Sequence, residues 1–273
     1  ALIGAYGTGK TTLCYQLIAE TQALGGQVVY FDTEGRFSFD RAKRMGVDPT
    51  DFILVQPETL EDTYTALRQT LQAARDVVGP DDIIIVFVDS AAGAALKVDL
   101  EGEDSPVGSY SRLISKEMKA LPGLVRRKRI GLVITAQPHQ KIEFGKWGKP
   151  EVTWMGERAI GHAASTLLLM EKQGKLGDDP NSPVGHRILV TNKDTRISGV
   201  AREDWRRTVD FYSDTGFDYW GSVADLLTDK AAPLAVQSWP AALGAALGAE
   251  FVSSGLVSLA LYLRSGQVDL HAA

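Results

Sequence analysis

The segment Gly4-Ala5-Tyr6-Gly7-Thr8-Gly9-Lys10-Thr11-Thr12 sets glycines, a lysine and hydroxyls at the G-x-x-x-x-G-K-[ST] spacing of a phosphate loop. Gly4, Gly7 and Gly9, with Thr8 among them, let successive backbone N–H groups curl round phosphate oxygens. A helix beginning near Thr12 turns its positive dipole end toward the same point. Lys10 then neutralises the outer phosphates, and Thr11 offers its hydroxyl to Mg²⁺. The segment predicts a nucleoside triphosphate ligand.

Three further residues complete a possible reaction centre. Asp89 directly follows an apolar run, where a carboxylate can hold Mg²⁺ through its water shell beside Thr11. On its own this is a weak signal, because strands often end in Asp. Glu34, in Asp32-Thr33-Glu34-Gly35, can orient or deprotonate the water that attacks the γ-phosphate, or it can be a first-turn acid of a helix near Phe39 to Met45. Gln137 follows another apolar run and can hydrogen-bond the γ-phosphate and transmit its loss to the segment beyond it.

That segment is unusual. Between Arg112 and Lys149 ten basic residues face two acidic ones, a balance of +8 in a chain whose net charge is −5. A solvated helix face explains part of such a run. The run continues, however, into a long loop from Pro138 to Gly156 with Phe144, Trp147 and Trp154, as a polyanion-binding surface would. Arg112, Lys119, Lys141, Lys146 and Lys149 are its candidate cations. His139, Trp147 and Trp154 are its candidate ring contacts.

These residues need a scaffold. Ala1 to Ile3, Val28 to Asp32, Phe52 to Val55, Ile83 to Val88 and Ile130 to Thr135 read as strands. Helical patterns lie between them, notably at Leu60 to Val78 and Tyr110 to Val125. Continuous apolar strands alternating with amphipathic helices predict an α/β fold, a mostly parallel twisted sheet covered on both faces. Ser165 to Met170, His186 to Thr191 and Arg207 to Tyr212 follow without long helices, so the sheet is expected to finish in antiparallel strands. In such a sheet the ligand sits outside the carboxyl ends of the strands, where the phosphate loop, Glu34, Asp89 and Gln137 fall.

The chain resembles the RecA family of recombinases, in its bacterial RecA and phage UvsX-like forms. Phe31 to Arg36 followed by Met45-Gly46-Val47-Asp48-Pro49, then Gln56-Pro57-Glu58-Thr59, are similar to that family. Glu101-Gly102-Glu103 with Val107-Gly108-Ser109 resembles its first DNA-binding loop, and Gln137 to Ile142 with Gly148 to Glu151 its second. The likeness runs from Gly4 to about Leu227. It implies an ATPase core in which Lys10, Thr11 and Asp89 hold MgATP, Glu34 activates water and Gln137 senses the γ-phosphate. It also implies helical filaments with ATP between subunits, binding single-stranded DNA and exchanging it with a duplex. Lys193 matches one of two lysines reaching a neighbour's phosphate; Thr191 stands at the other. Trp154-Met155-Gly156 likewise departs from the family's pattern in the second loop. The rival expectations are a closed ring of the DnaB or KaiC kind and a regulator that binds nucleotide and DNA without catalysis.

Composition sets the outer limits. With 273 residues, 44% hydrophobic and 23% charged, the chain can bury one large core. Cys14 is the single cysteine, so no intramolecular disulfide can form; it reads as a small buried residue in a reducing compartment, the cytoplasm. With no initiating Met and three residues before the loop, an N-terminal truncation is expected. Residues 1–229 form the expected ATPase core and 230–273 an Ala- and Leu-rich appendage. Its uncharged run Phe251 to Leu263 is too short to span a bilayer, and no membrane association is expected.

Overall fold

A computed structural model describes residues 1–79, 81–102, 105–141, 151–179, 181–195 and 206–218. The polypeptide alternates strand and helix from β1 (Leu2–Gly4) through α1 (Lys10–Ala23), β2 (Gln27–Asp32), α2 (Phe39–Arg44), β3 (Ile53–Val55), α3 (Leu60–Val77) and β4 (Ile84–Asp89). Next come the short α4 (Lys97–Leu100), the long α5 (Ser109–Lys128) and β5 (Gly131–Ala136). After β5 the chain makes a ribbon of β6 (Pro138–Lys141) and β7 (Glu151–Trp154), then α6 (Glu157–Ala163). The strands β8 (Thr166–Leu176), β9 (Gly185–Thr195), β10 (Arg206–Tyr212) and β11 (Gly216–Phe217) follow.

Nine of these strands form one sheet in the order β11-β10-β9-β8-β1-β5-β4-β2-β3. From β8 to β3 every pairing is parallel, and β8 through β11 pair antiparallel. The α/β fold, its parallel body and its antiparallel edge therefore agree with expectation. Strand pleat sorts the core into two layers. Val29 and Phe31 of β2 face Leu67 and Leu71 of α3 and Ile114 and Leu121 of α5. Val28, Tyr30 and Phe87 face Cys14, Tyr15 and Ile18 of α1, with Met170 and Ile188 from the antiparallel edge.

The helices begin where the sequence lets them. Thr59 caps α3 by accepting from the Asp62 N–H at 3.0 Å, while its own hydroxyl donates to the Asp62 carboxylate. Ser38 caps α2 through the Arg41 N–H. Helix α5 runs back from the carboxyl edge of the sheet to its amino edge, because it must deliver the chain to the start of β5. Its last turn holds Arg126, Arg127 and Lys128, where cations complement the helix's negative end. Lys128 and Arg129 there pair with Asp76 and Asp81. This part of the basic run thus lies at the far end of the strands from the phosphate loop and belongs to helix termination. Glu117, one of the two acids in that segment, is buried and paired with Arg68 of α3.

The expected loop from Pro138 to Gly156 is a ribbon at both ends. Pro138 pairs with Trp154 and Lys141 with Glu151, and the run Pro138-His139-Gln140-Lys141 carries no apolar alternation to announce a strand. The appendage 230–273 and the end of the expected core, 219–229, lie outside the described residues.

Candidate functional site: a phosphate cleft at the carboxyl edge

The loop between β1 and α1 closes on itself through its own groups. Gly7 and Gly9 have φ of 72° and 87°, left-handed values that glycine adopts freely. The Thr8 hydroxyl donates to the Ala5 carbonyl at 2.9 Å. The Lys10 ammonium is buried and donates to the carbonyls of Gly4 at 2.7 Å and Ala5 at 3.2 Å. Burial pulls its pKa below the ordinary lysine value, while the Asp89 and Glu34 carboxylates push it back up. Thr12 is buried in the first turn of α1, at the floor of the cleft.

Strand parity builds the next layer. Tyr30, Asp89 and Thr135 stand on three adjacent strands, β2, β4 and β5, near their carboxyl ends on the face covered by α1. The Asp89 carboxylate there accepts from three hydroxyls: Thr11 at 2.6 Å and Tyr30 at 2.7 Å on Oδ2, and Thr135 on Oδ1. The carboxylate is thereby fixed in orientation and joined to the hydroxyl expected to share Mg²⁺ with it. Among the described residues no cluster of three or more His, Cys, Asp or Glu forms a metal cage. Mg²⁺ needs none, since it typically takes one or two carboxylates with substrate phosphates and waters. Thr11 and Asp89 fit that requirement.

Glu34 follows the end of β2, where Asp32 turns the chain by accepting the N–H groups of Arg36 and Phe37 and the Gln56 amide. One Glu34 oxygen accepts from the Ser90 hydroxyl at 3.0 Å and from the Gln137 amide at 3.1 Å. The other lies 3.6 Å from Arg36. Glu34 stands outside every helix, and the first-turn acid of α2 is Asp40. The helix-acid alternative for Glu34 falls away.

Lys10, Thr11, Asp89, Glu34 and Gln137 thus line one cleft of about 400 Å³. Tyr15, Phe37 and Arg41 also line it, as do His186 and Phe211 of the antiparallel edge. The Tyr15 hydroxyl accepts the Ser38 N–H at 3.0 Å; burial raises its pKa to about 12 despite that bond. A second cleft of about 390 Å³ lies beyond Glu34 and Gln137, lined by Ser90 to Gly93 and Met155. Gln137 sits between the two.

The remaining candidates are scattered. Lys193 is exposed on β9 and does not line the cleft; Thr191 beside it is buried. Arg112, in the first turn of α5, is exposed at the carboxyl edge, and Lys119 is exposed two turns further along, roughly 10 Å away at 1.5 Å per residue. The backbones of His139 and Lys141 run in β6, and their side chains lie outside what is described. Lys146, Trp147 and Lys149 are wholly outside the described residues. Trp154 packs against the core, with its indole N–H buried and without a hydrogen-bond partner.

Residue spacing did not reveal Tyr30, Thr135 or the lining residues from β8 to β10. The usable signal was parity, since Tyr30 precedes Asp32 by two residues and Thr135, one residue before the end of β5, shares the face of Val133.

A parallel α/β sheet with a phosphate loop after its first strand and an acid at a neighbouring strand end defines a phosphate-loop nucleotide-binding fold. The particular family follows from comparison: residues 1–203 match the RecA N-terminal domain, and the chain belongs to the RecA family. It is 29% identical over 231 residues to Protein RecA of Geobacter metallireducens, covering 84% of this chain and 64% of that protein. It is 30% identical to Protein RecA 2 of Myxococcus xanthus (84% and 61%) and 31% identical to Protein RecA of Oceanobacillus iheyensis (84% and 62%). The chain spans a little over three fifths of the length of these relatives. No helix among the described residues is long and apolar enough to cross a membrane.

Proposed function

We propose that the protein is an ATP-dependent DNA recombinase, which binds single-stranded DNA as a homo-oligomeric filament, exchanges it with a homologous duplex and hydrolyses ATP in the cleft. The observation that carries this reading is the convergence of Lys10, Thr11, Asp89, Glu34 and Gln137 on one cleft whose sensor residue leads directly into β6. The loop N–H groups and Lys10 hold the phosphates. Thr11 and Asp89 would hold Mg²⁺, which draws off negative charge as it develops on the phosphate oxygens. Glu34, steadied by Ser90, takes the proton of the attacking water, and Gln137 exchanges its bond to Glu34 for one to the γ-phosphate.

In this proposal residues 1–229 form the ATPase core, and Lys193 reaches a neighbouring subunit's nucleotide. Arg112, Lys119, His139 and Lys141 meet the DNA backbone together with Lys146 and Lys149, while Trp147 and Trp154 offer ring contacts to bases. ATP turnover by the complete gene product, with and without single-stranded DNA, tests the chemistry. Electron microscopy with ATP and DNA tests the assembly. Open helical filaments and DNA-stimulated turnover support the proposal; closed rings favour a DnaB- or KaiC-like machine, and absent turnover a regulator.

A further inference from the structure

Strand register puts a second lysine over the phosphate loop. Gly4, the last residue of β1, pairs with Met170 of β8, and β8 then continues past the end of β1 to Leu176. Two residues on, roughly 6.5 Å further along the strand, is Lys172. Side chains two apart share a face, so Lys172 lies on the face of Met170, which packs with α1. Its cross-strand partner, Ile188, belongs to the same layer. The chain that leaves β1 on this face is the phosphate loop. Lys172 must therefore project over it.

The side chain does so. A Cβ placed on Gly7 would meet the Lys172 Nζ at 2.7 Å, so the ammonium rests against the middle of the loop. Gly7 itself has φ of 72° and no side chain, which leaves that approach open. Lys172 lines the same cleft as Lys10, Thr11 and Asp89. It is exposed and makes no ion pair with any described residue, whereas Lys10 spends its donors on loop carbonyls. A flexible, strongly hydrated cation with no carboxylate partner among the described residues, resting against a loop of the phosphate-binding kind, matches the requirements of an anion.

We propose that Lys172 is a phosphate-binding residue supplied in cis by β8, clamping the nucleotide's phosphates against the loop. The proposal rests on the reading of the cleft as a nucleotide site and names a contact which that reading does not contain. The clamp comes from the same chain as the loop, so it operates in a single subunit without DNA or a neighbour.

The test is the ATP affinity of wild type, Lys172→Met and Lys172→Arg, measured on the full chain without DNA at several salt concentrations, with thermal midpoints alongside. Lys172→Met keeps the stem and removes the charge. Its ATP affinity is expected to fall roughly tenfold or more, the scale of one charge-assisted hydrogen bond, with weaker salt dependence and an unchanged midpoint. Lys172→Arg is expected to recover most of the loss. An ATP affinity within twofold of wild type overturns the proposal, as does a loss that Arg leaves unrepaired or that comes with a lowered midpoint. A Lys172→Met defect confined to single-stranded DNA binding also overturns it. Failure of the underlying reading looks different, because wild type itself would then bind no ATP or Lys10→Ala would bind it normally.

Discussion

Replacing Thr135 by Val removes one hydroxyl from the cage around Asp89 at nearly constant volume. Thr135 is fully buried, and its hydroxyl is the donor seen on Asp89 Oδ1; Oδ2 already takes Thr11 and Tyr30. A hydrogen bond to a charged acceptor contributes about 1.5–3 kcal/mol, and one buried lone pair would be left without its partner. At about 2–4 °C per kcal/mol for a domain of this size, the midpoint should drop by roughly 3–12 °C. The effect on function should be larger in proportion. Partners that orient a metal-binding group typically change metal affinity by about 10–100-fold, so the Mg²⁺ concentration for half-maximal nucleotide binding should rise on that scale. The assay is a Mg²⁺ titration of a fluorescent ATP analogue, paired with a thermal melt. Thr135→Ser restores the hydroxyl and should restore the Mg²⁺ midpoint. If Thr135→Val folds and its Mg²⁺ midpoint matches wild type, Asp89 is not the group that meets the metal, or its orientation is set without Thr135.

Other outcomes follow from the same geometry. Lys10→Ala should abolish ATP binding, whereas Glu34→Gln should preserve it and slow turnover by roughly a hundredfold or more, the usual scale for a lost general base; stopped-flow binding and steady-state turnover separate the two defects. Arg68→Met should destabilise the fold by about 3–5 kcal/mol, because it leaves the buried Glu117 carboxylate unpaired, and the double variant with Glu117→Met should recover much of that in chemical denaturation. Burial holds the Lys10 pKa below 10.5 in the free protein, and bound phosphates favour its charged form. ATP binding should therefore take up protons in the alkaline range below 10.5 and weaken as pH rises through it, visible as a buffer-dependent heat in calorimetry.

The parts of this protein legible in its sequence are those in which neighbours along the chain act together. The phosphate loop is one stretch of backbone, so its glycines, Lys10 and Thr11 announce themselves by spacing. The strands leading to Glu34, Asp89 and Gln137 are apolar on both faces, and their ends fall within a residue of where apolar runs stop. The Asp89 cage was illegible because Tyr30, Thr135 and Thr11 meet only after three strands align in register. Lys172 was hidden for the same reason, since its place depends on how far β8 outruns β1. The ribbon of β6 and β7 was missed because each strand is only four residues long and β6, Pro138-His139-Gln140-Lys141, carries no apolar alternation. The basic count around α5 misled in part, since Arg126 to Arg129 serve a helix end and its neighbouring acids at the opposite edge of the sheet.

In the proposed function one cleft reads the nucleotide and passes the result to a DNA-binding segment through Gln137, which donates to Glu34 and directly precedes β6. The most direct measurement is the affinity for single-stranded DNA with a non-hydrolysable ATP analogue and again with ADP, for wild type and Gln137→Ala. Wild type is predicted to bind DNA roughly 5- to 150-fold more tightly with the ATP analogue, a coupling of about 1–3 kcal/mol, and Gln137→Ala to bring that ratio close to one while keeping each ligand's separate binding. A wild-type ratio of one, or a variant that keeps the wild-type ratio, contradicts the claim.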